Sequence, residues 1–325
     1  MKELSLPQAL AEAIDEEMER DPKVFVMGEN VGPMGGIFRQ TQGLYKKWGS
    51  DRVKDTPISE DGIIGFSTGA AMGGMRPIAE IMCPPFVGMA MDQIWSHAAV
   101  YRYLSGGQVK IPLTIMTTGG CGNQPDLRHG PTHEGTFMGI PGLKFVIPST
   151  PYEIKGLMKT AIRDDSPVLF LSHRMLIFMN IKSKVPDEEY TIPLGKADIK
   201  REGSDVTVLA IGYMVHKALA AADKLQEKGI SIEVVDLRTL VPLDMEAILN
   251  SVKKTGRLVI MSEDINTGGS ASIIAGLVAE EGFDLLDAPI KRVTAKDTPL
   301  PYIADLENFY LPQEEDLTKA VMDIT

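Results

Sequence analysis

Two residue patterns in this sequence are suited to chemistry: a carboxylate opening a thin helix, and a pair of histidines inside a glycine-rich loop. The run Asp55-Thr56-Pro57-Ile58-Ser59-Glu60 closes a polar turn and opens a helical stretch, so Glu60 falls in the first helical turn. There the helix dipole favours an anion, and the plain reading of Glu60 is a helix-start acid. The stretch that follows contains Gly65, Gly69, Ala70, Ala71, Gly73 and Gly74, a surface so small that another backbone can approach closely. Such packing buries the helix mouth, and burial disfavours the charged form of a carboxyl. The sharper reading is therefore an acid held against a bound heterocycle.

The loop over residues 118–135 carries five glycines, two prolines and two of the chain's five histidines, His129 and His133, and has no regular period. Long irregular loops in compact domains are usually functional, and a neutral imidazole exchanges protons near neutral pH. The i, i+4 spacing of the histidines would suit a metal pair on a helix, but Gly130 and Pro131 between them oppose a helix. His97 falls in a helical stretch, and His173 and His216 in or beside connecting segments; these three read as structural or solvated. The glycines of residues 32–36 and 268–269 lack the spacing of a nucleotide loop and read as turns. Met82, Phe86 and Met89 fall at a strand end and on one face of the next helix. Core packing is the default for them, and an apolar wall around a ring-shaped ligand is the alternative.

The elements that must position these groups alternate. Strands are expected at residues 24–27, 77–82, 113–117, 143–147 and 168–171, with helices at 7–20, 58–75, 86–104 and 152–164. Alternation of this kind implies a mainly parallel sheet with helices on both faces. From residue 181 to 204, prolines, glycines and charges interrupt the pattern and mark a linker. It resumes with strands at 206–211, 232–235 and 258–261 and helices between them. The expected organisation is an α/β domain over 1–180, a linker over 181–204, and a smaller α/β domain over 205–325. A hydrophobic fraction of 44% in 325 residues suffices for two cores. A net charge of −11 argues against nucleic acid as a partner. The two cysteines, Cys83 and Cys121, form neither a disulfide framework nor a zinc site. With no stretch apolar enough to cross a bilayer and no signal-peptide pattern, the expectation is a soluble, cytoplasmic protein.

Five ordered blocks carry a resemblance over essentially the whole chain: MGENVGPMGGIFRQTQGL, DRVKDTPISEDGIIGFSTGAAMGGMRPIAE, DQIWSHAAVYRYLSGGQ, PGLKFVIPSTPYEIKGLMKTAIRDDSPVLFL and LDAPIKRVTAKDTPLPY. Together they resemble the β subunits of the thiamine-diphosphate-dependent 2-oxo acid dehydrogenase family, in its pyruvate, branched-chain and acetoin branches. The resemblance implies a pyrimidine-binding domain followed by a transketolase C-terminal-like domain. It also implies an α subunit that holds magnesium and the cofactor's diphosphate through a GDG motif, a motif this sequence does not contain. The expected assembly is an α2β2 heterotetramer serving a lipoyl-bearing dihydrolipoamide acyltransferase.

By the same resemblance, Glu60 matches the glutamate that hydrogen-bonds the cofactor's aminopyrimidine, and Glu29 lies in a matching turn near the cofactor. Met82, Phe86 and Met89 match positions lining the pyrimidine ring, with Met89 standing where some relatives have glutamine. Relatives carry an HSQ turn whose histidine lies twelve residues before a proline, and His129 lies twelve before Pro141. That register assigns the catalytic role to His129; the local sequence RHGPTHEG makes His133 its rival. The turn around Ala161, Ile162 and Asp164 resembles a loop whose carbonyl oxygens can hold potassium. The implied activity is decarboxylation of a 2-oxo acid with acyl transfer to lipoamide. Alternatives are acetoin cleavage, a non-catalytic partner of an α-like chain, and, last, an NAD-binding domain, for which no suitably placed GxGxxG exists.

Overall fold

Runs of apolar, largely β-branched residues bounded by polar turns form the central strands of the computed structural model, which describes residues 1–325. The chain divides into two units, residues 1–119 with 138–194 and residues 120–137 with 195–325. In the first, β1 (Lys2–Ser5) and α1 (Leu6–Arg20) precede β2 (Val24–Gly28), α2 (Leu44–Arg52), β3 (Val53–Asp55), α3 (Glu60–Met72), β4 (Arg76–Glu80), α4 (Pro84–Val87), α5 (Tyr101–Leu104) and β5 (Thr114–Gly119). The next segment, 120–137, groups with the second unit and holds most of α6 (Glu134–Met138). The first unit then continues as β6 (Lys144–Val146), α7 (Pro151–Arg163), β7 (Val168–His173), α8 (Arg174–Phe178) and β8 (Lys182–Val185).

Within this unit the strands run β6-β7-β5-β4-β2-β3, every neighbouring pair parallel. β2 and β7 are buried at every position, as expected for a sheet covered on both faces. Gly28 pairs with Glu80 across β2 and β4. A Cβ at Gly28 would lie 2.7 Å from the Glu80 carbonyl oxygen, so only glycine allows the two strand ends to approach this closely. α7 starts where Thr150 accepts from the Glu153 amide at 3.3 Å and Glu153 accepts from the Thr150 amide at 3.1 Å, a reciprocal capping pair. The buried lysines of α7 pair with α1, Lys155 with Glu12 and Glu16, and Lys159 with Glu16.

The single helix expected over 86–104 is instead four short pieces. After α4 come a tight turn at Gly88–Ala90, a wide π-type turn at Gln93–Ala98 and α5. The Ala99 amide reaches back five residues to the Ile94 carbonyl, the widened ladder that helices use where a side chain must be re-aimed.

The second unit contains β9 (Asp198–Arg201), β10 (Val206–Ala210), α9 (Met214–Gln226), β11 (Ile232–Asp236), β12 (Thr239–Val241), α10 (Met245–Thr255), β13 (Leu258–Ile265), α11 (Ser270–Glu281), β14 (Lys291–Ala295), α12 (Ala304–Tyr310) and α13 (Glu314–Met322). Its sheet runs β14-β13-β10-β11-β9, parallel except for the β9 edge. Val206, Val208, Val234, Val259 and Met261 from this sheet pack with Ala218, Ala222 and Leu225 of α9 and Leu317 and Val321 of α13. α10 is bounded by two local signals: Asp244 accepts from the Ala247 amide at 3.2 Å, and Gly256 ends the helix at φ 69°. No helix is long and apolar enough to cross a membrane.

Candidate active site

Three acids gather at the carboxyl ends of β2 and β4 and the start of α3 in the first unit. Glu60 is the first residue of α3, where Ser59 precedes it in a non-helical conformation. It is half-buried, and no hydrogen bond from this chain reaches its carboxyl. Glu29 follows β2 directly and is buried; burial raises its pKa above the usual carboxylate value, and the negative charge of Glu60 raises it further. Glu80 ends β4, fully buried, with Oε1 accepting from Gln40 Nε2 at 3.0 Å. Its Oε2 has no partner. Burial first and the Glu29 charge second push the Glu80 carboxyl up to about 8, while the Gln40 bond opposes them. Glu80 therefore keeps its proton at neutral pH. Sequence reading passed over it, although an acid closing an otherwise apolar strand run was the available signal.

The apolar side chains matched to a ring wall are not core. Met82 and Phe86 are half-buried, and Met89 is 69% exposed, on the tight turn after α4. A large apolar side chain this accessible is free to cover a ligand or a neighbouring surface.

The segment 120–137 belongs to the second unit, and carboxylates of that unit hold it. The Cys121 amide donates to Glu263 at 2.8 Å, and the Gly122 and Gln124 amides donate to the two oxygens of Glu307 at 2.8 and 2.9 Å. The Gly135 amide donates to Asp264 at 2.7 Å. His129 Nδ1 lies 3.0 Å from Asp126 Oδ1. This contact, ahead of the Arg128 amide bond, holds the Asp126 carboxyl below its ordinary value. His133 is exposed and adopts φ 50°, while desolvation of its ring lowers its pKa against an opposing pull from Asp264. No group of three or more His, Cys, Asp or Glu residues is arranged to hold a metal ion. In the turn expected to hold potassium, the carbonyls of Ile162 and Asp164 each accept from Arg76 Nη1 at 3.0 Å, and Asp164 pairs with Lys144 at 2.5 Å. Each of those carbonyls keeps a second lone pair beyond its bond to Arg76.

Two α/β units in tandem, the first with acids at its strand ends, have the architecture of transketolase-type proteins. Residues 2–179 match the transketolase pyrimidine binding domain, and residues 195–317 match the transketolase C-terminal domain. A solved structure described as a split gene transketolase, an inactive β4 tetramer, superposes with a TM-score of 0.79 over 99% of this chain and 98% of that one. At 24% identity it speaks for the fold alone. Curated relatives align nearly end to end. The 2-oxoisovalerate dehydrogenase subunit beta of Bacillus subtilis (strain 168) is 45% identical over 325 residues, covering 100% of this chain and 99% of the relative. From the same organism, the pyruvate dehydrogenase E1 component subunit beta is 43% identical, covering 100% and 99%. The acetoin:2,6-dichlorophenolindophenol oxidoreductase subunit beta is 44% identical, covering 99% and 97%. The chain belongs to the family of β subunits of pyruvate, branched-chain 2-oxo acid and acetoin dehydrogenases.

Proposed function

We propose that this chain, paired with an α subunit, carries out thiamine-diphosphate-dependent oxidative decarboxylation of pyruvate or a branched-chain 2-oxo acid, with acyl transfer to lipoamide. The observation that carries this reading is Glu60. It is a half-buried carboxyl at a helix start with no hydrogen-bond partner in its own chain, set beside the buried Glu29 whose proton affinity it raises. A carboxyl so placed is suited to share a proton with a nitrogen heterocycle. Thiamine diphosphate, when bound, supplies the electron sink for loss of carbon dioxide.

Glu60 would hold the proton at the pyrimidine ring, and the neighbouring acids keep that corner from carrying a full set of charges. Glu80, protonated at neutral pH, adds no negative charge beside Glu29. Met82, Phe86 and Met89 would cover the ring and exclude water. One of the two histidines of segment 120–137 would handle protons at the substrate: His129, oriented by Asp126 in the manner of a base with its carboxylate partner, or His133. The α subunit is assigned the magnesium and the diphosphate. Ala161, Ile162 and Asp164 would offer carbonyl oxygens to a potassium ion beside the Arg76 guanidinium. The working assembly is an α2β2 heterotetramer in the cytoplasm, presenting its site to the lipoyl group of a dihydrolipoamide acyltransferase.

The test is to assay the chain, co-expressed with its α-type partner, on pyruvate, 2-oxoisovalerate and acetoin in parallel. Decarboxylation of either 2-oxo acid supports the proposal. Turnover of acetoin alone would place the protein in the acetoin branch, and turnover without the α-type partner would overturn the shared-site reading.

A further inference from the structure

Thr132 and Glu134, the neighbours of His133, are both buried to within 2% of complete, while His133 itself is exposed. Their side chains turn inward and meet, Thr132 Oγ1 donating to Glu134 Oε1 at 3.1 Å. The other oxygen of Glu134 accepts from the hydroxyl of Ser262 at 2.7 Å and from that of Ser270. Those two hydroxyls lie 2.9 Å apart, and Ser262 Oγ also accepts from the Asp264 amide at 3.0 Å. Asp264 completes the arrangement: its Oδ2 accepts from the Gly135 amide at 2.7 Å and from the Ser270 amide at 3.2 Å, and its Oδ1 from the Ile265 amide at 3.0 Å. Gly135 is itself pressed against the start of α11, where a Cβ would lie 2.1 Å from the Gly268 carbonyl oxygen. No other residue type fits there.

His133 sits at the point this clamp strains. Its φ of 50° is costly for a residue with a Cβ, and such strain persists only where the surroundings over-determine the backbone. His129 carries no such backbone strain, and its ring lies 3.0 Å from Asp126, three residues away. The charged and titratable groups that act on the Glu134 pocket are Asp264 and Glu263, and Asp264 acts on His133 as well.

We propose that Glu134 and Asp264 are positioning residues. They lock residues 132–135 onto the base of α11 and so present the His133 imidazole outward for proton exchange. The inference deepens the function proposed above by assigning the proton-handling role to His133 through its two anchors. Burial raises the pKa of Glu134, with the Asp264 charge adding to the effect. The anchor is accordingly not a surface charge that solvent could replace.

The test uses Glu134→Ala, Glu134→Gln and Ser270→Ala. Each is measured in the enzyme assembled with its α-type partner, for kcat, KM and the pH profile of kcat/KM. Each is also measured in the isolated chain by NMR of ¹³C-labelled histidine, with the His133 resonance assigned by His133→Asn. Glu134→Ala should lower kcat at least roughly tenfold while KM for the 2-oxo acid stays within about threefold, since only orientation in the transition state is lost. The His133 titration and the acidic limb of the profile should move together toward the ordinary imidazole value of about 6.5. Glu134→Gln, which keeps the shape and an acceptor oxygen, should restore most of both. If Glu134→Ala does not fold, Ser270→Ala removes one donor from the same pocket and should shift the same two readouts in the same direction. A His133 titration unchanged in every folded variant would overturn the inference. The NMR arm needs no turnover, so a shifted titration in a chain inactive on all three substrates would sink the proposed function and leave the positioning role standing.

Discussion

The acids at the strand ends of the first unit and those around segment 120–137 of the second differ in how far the chain itself meets their hydrogen-bonding capacity. Around the segment 120–137, Glu134, Asp264 and Glu307 each accept from two or more backbone amides or hydroxyls. In the first unit Glu80 receives one side-chain amide and leaves an oxygen unpartnered, and no hydrogen bond from the chain reaches the Glu60 carboxyl. Glu29 is raised by burial and by Glu60. A carboxylate whose oxygens all accept hydrogen bonds from the chain is fixed in place, whereas one with an unengaged oxygen can still meet a ligand's donor. The contrast separates residues that position from residues that react.

The largest effect should come from the reacting side. Glu60→Gln in the assembled enzyme should cost about 10²–10⁴-fold in kcat, the range for loss of a proton-transfer group, with the thermal midpoint of the isolated chain unchanged. A loss below tenfold would show that the partnerless carboxyl is a helix-start acid and nothing more.

Glu80 makes stability depend on pH. Its folded pKa of about 8 lies above the ordinary carboxyl value of 4.5. The folded state therefore holds the proton more tightly than the unfolded chain, and stability is lost as pH rises from about 4.5 to about 8. Glu80→Gln removes that ionisation, so it should stabilise the chain at pH 8 by a few kcal/mol while changing little at pH 5. Urea melts at both pH values would check this, and equal shifts at the two would contradict it.

On the positioning side, Glu307→Ala strands the Gly122 and Gln124 amides and should destabilise by about 1–3 kcal/mol. Limited proteolysis should then cut first within residues 120–137; cleavage elsewhere would show that α12 does not anchor the segment. The smallest effect is expected at Met89, whose truncation to alanine should weaken thiamine diphosphate binding by about 1 kcal/mol, or roughly fivefold, if its side chain is covered on binding. Calorimetric titration of the assembled enzyme would measure it, and unchanged affinity would remove Met89 from the wall.

How much of this was legible in the sequence follows the same division. β2 and β7 could be read directly, because strands buried on both faces are written as continuous apolar runs. So could the start of α3, since its polar turn and its acid are local signals. β1 and β8 pair antiparallel from Lys2↔Val185 to Ser5↔Lys182, yet their charged, short sequences carry no period, and β8 falls inside the stretch that reads as linker. The break of the 86–104 helix into turns was hidden because its residues keep an apolar spacing throughout. The attachment of segment 120–137 to the second unit could not be read at all. It rests on backbone amides donating to Glu263, Asp264 and Glu307, more than a hundred residues away, and a backbone donor leaves no mark on residue type. Glu134 and Glu80 were overlooked for a related reason: a buried acid and a solvated one are spelled the same way.

In the proposed function the Glu60 carboxyl acts on the cofactor's pyrimidine ring. Exchange of the thiazolium C2 proton for deuterium, followed by quenched-flow NMR in the assembled enzyme with and without Glu60→Gln, reports on that action. The variant should bind thiamine diphosphate yet exchange this proton at least roughly a hundredfold more slowly; exchange at the wild-type rate would show that Glu60 does not act on the ring.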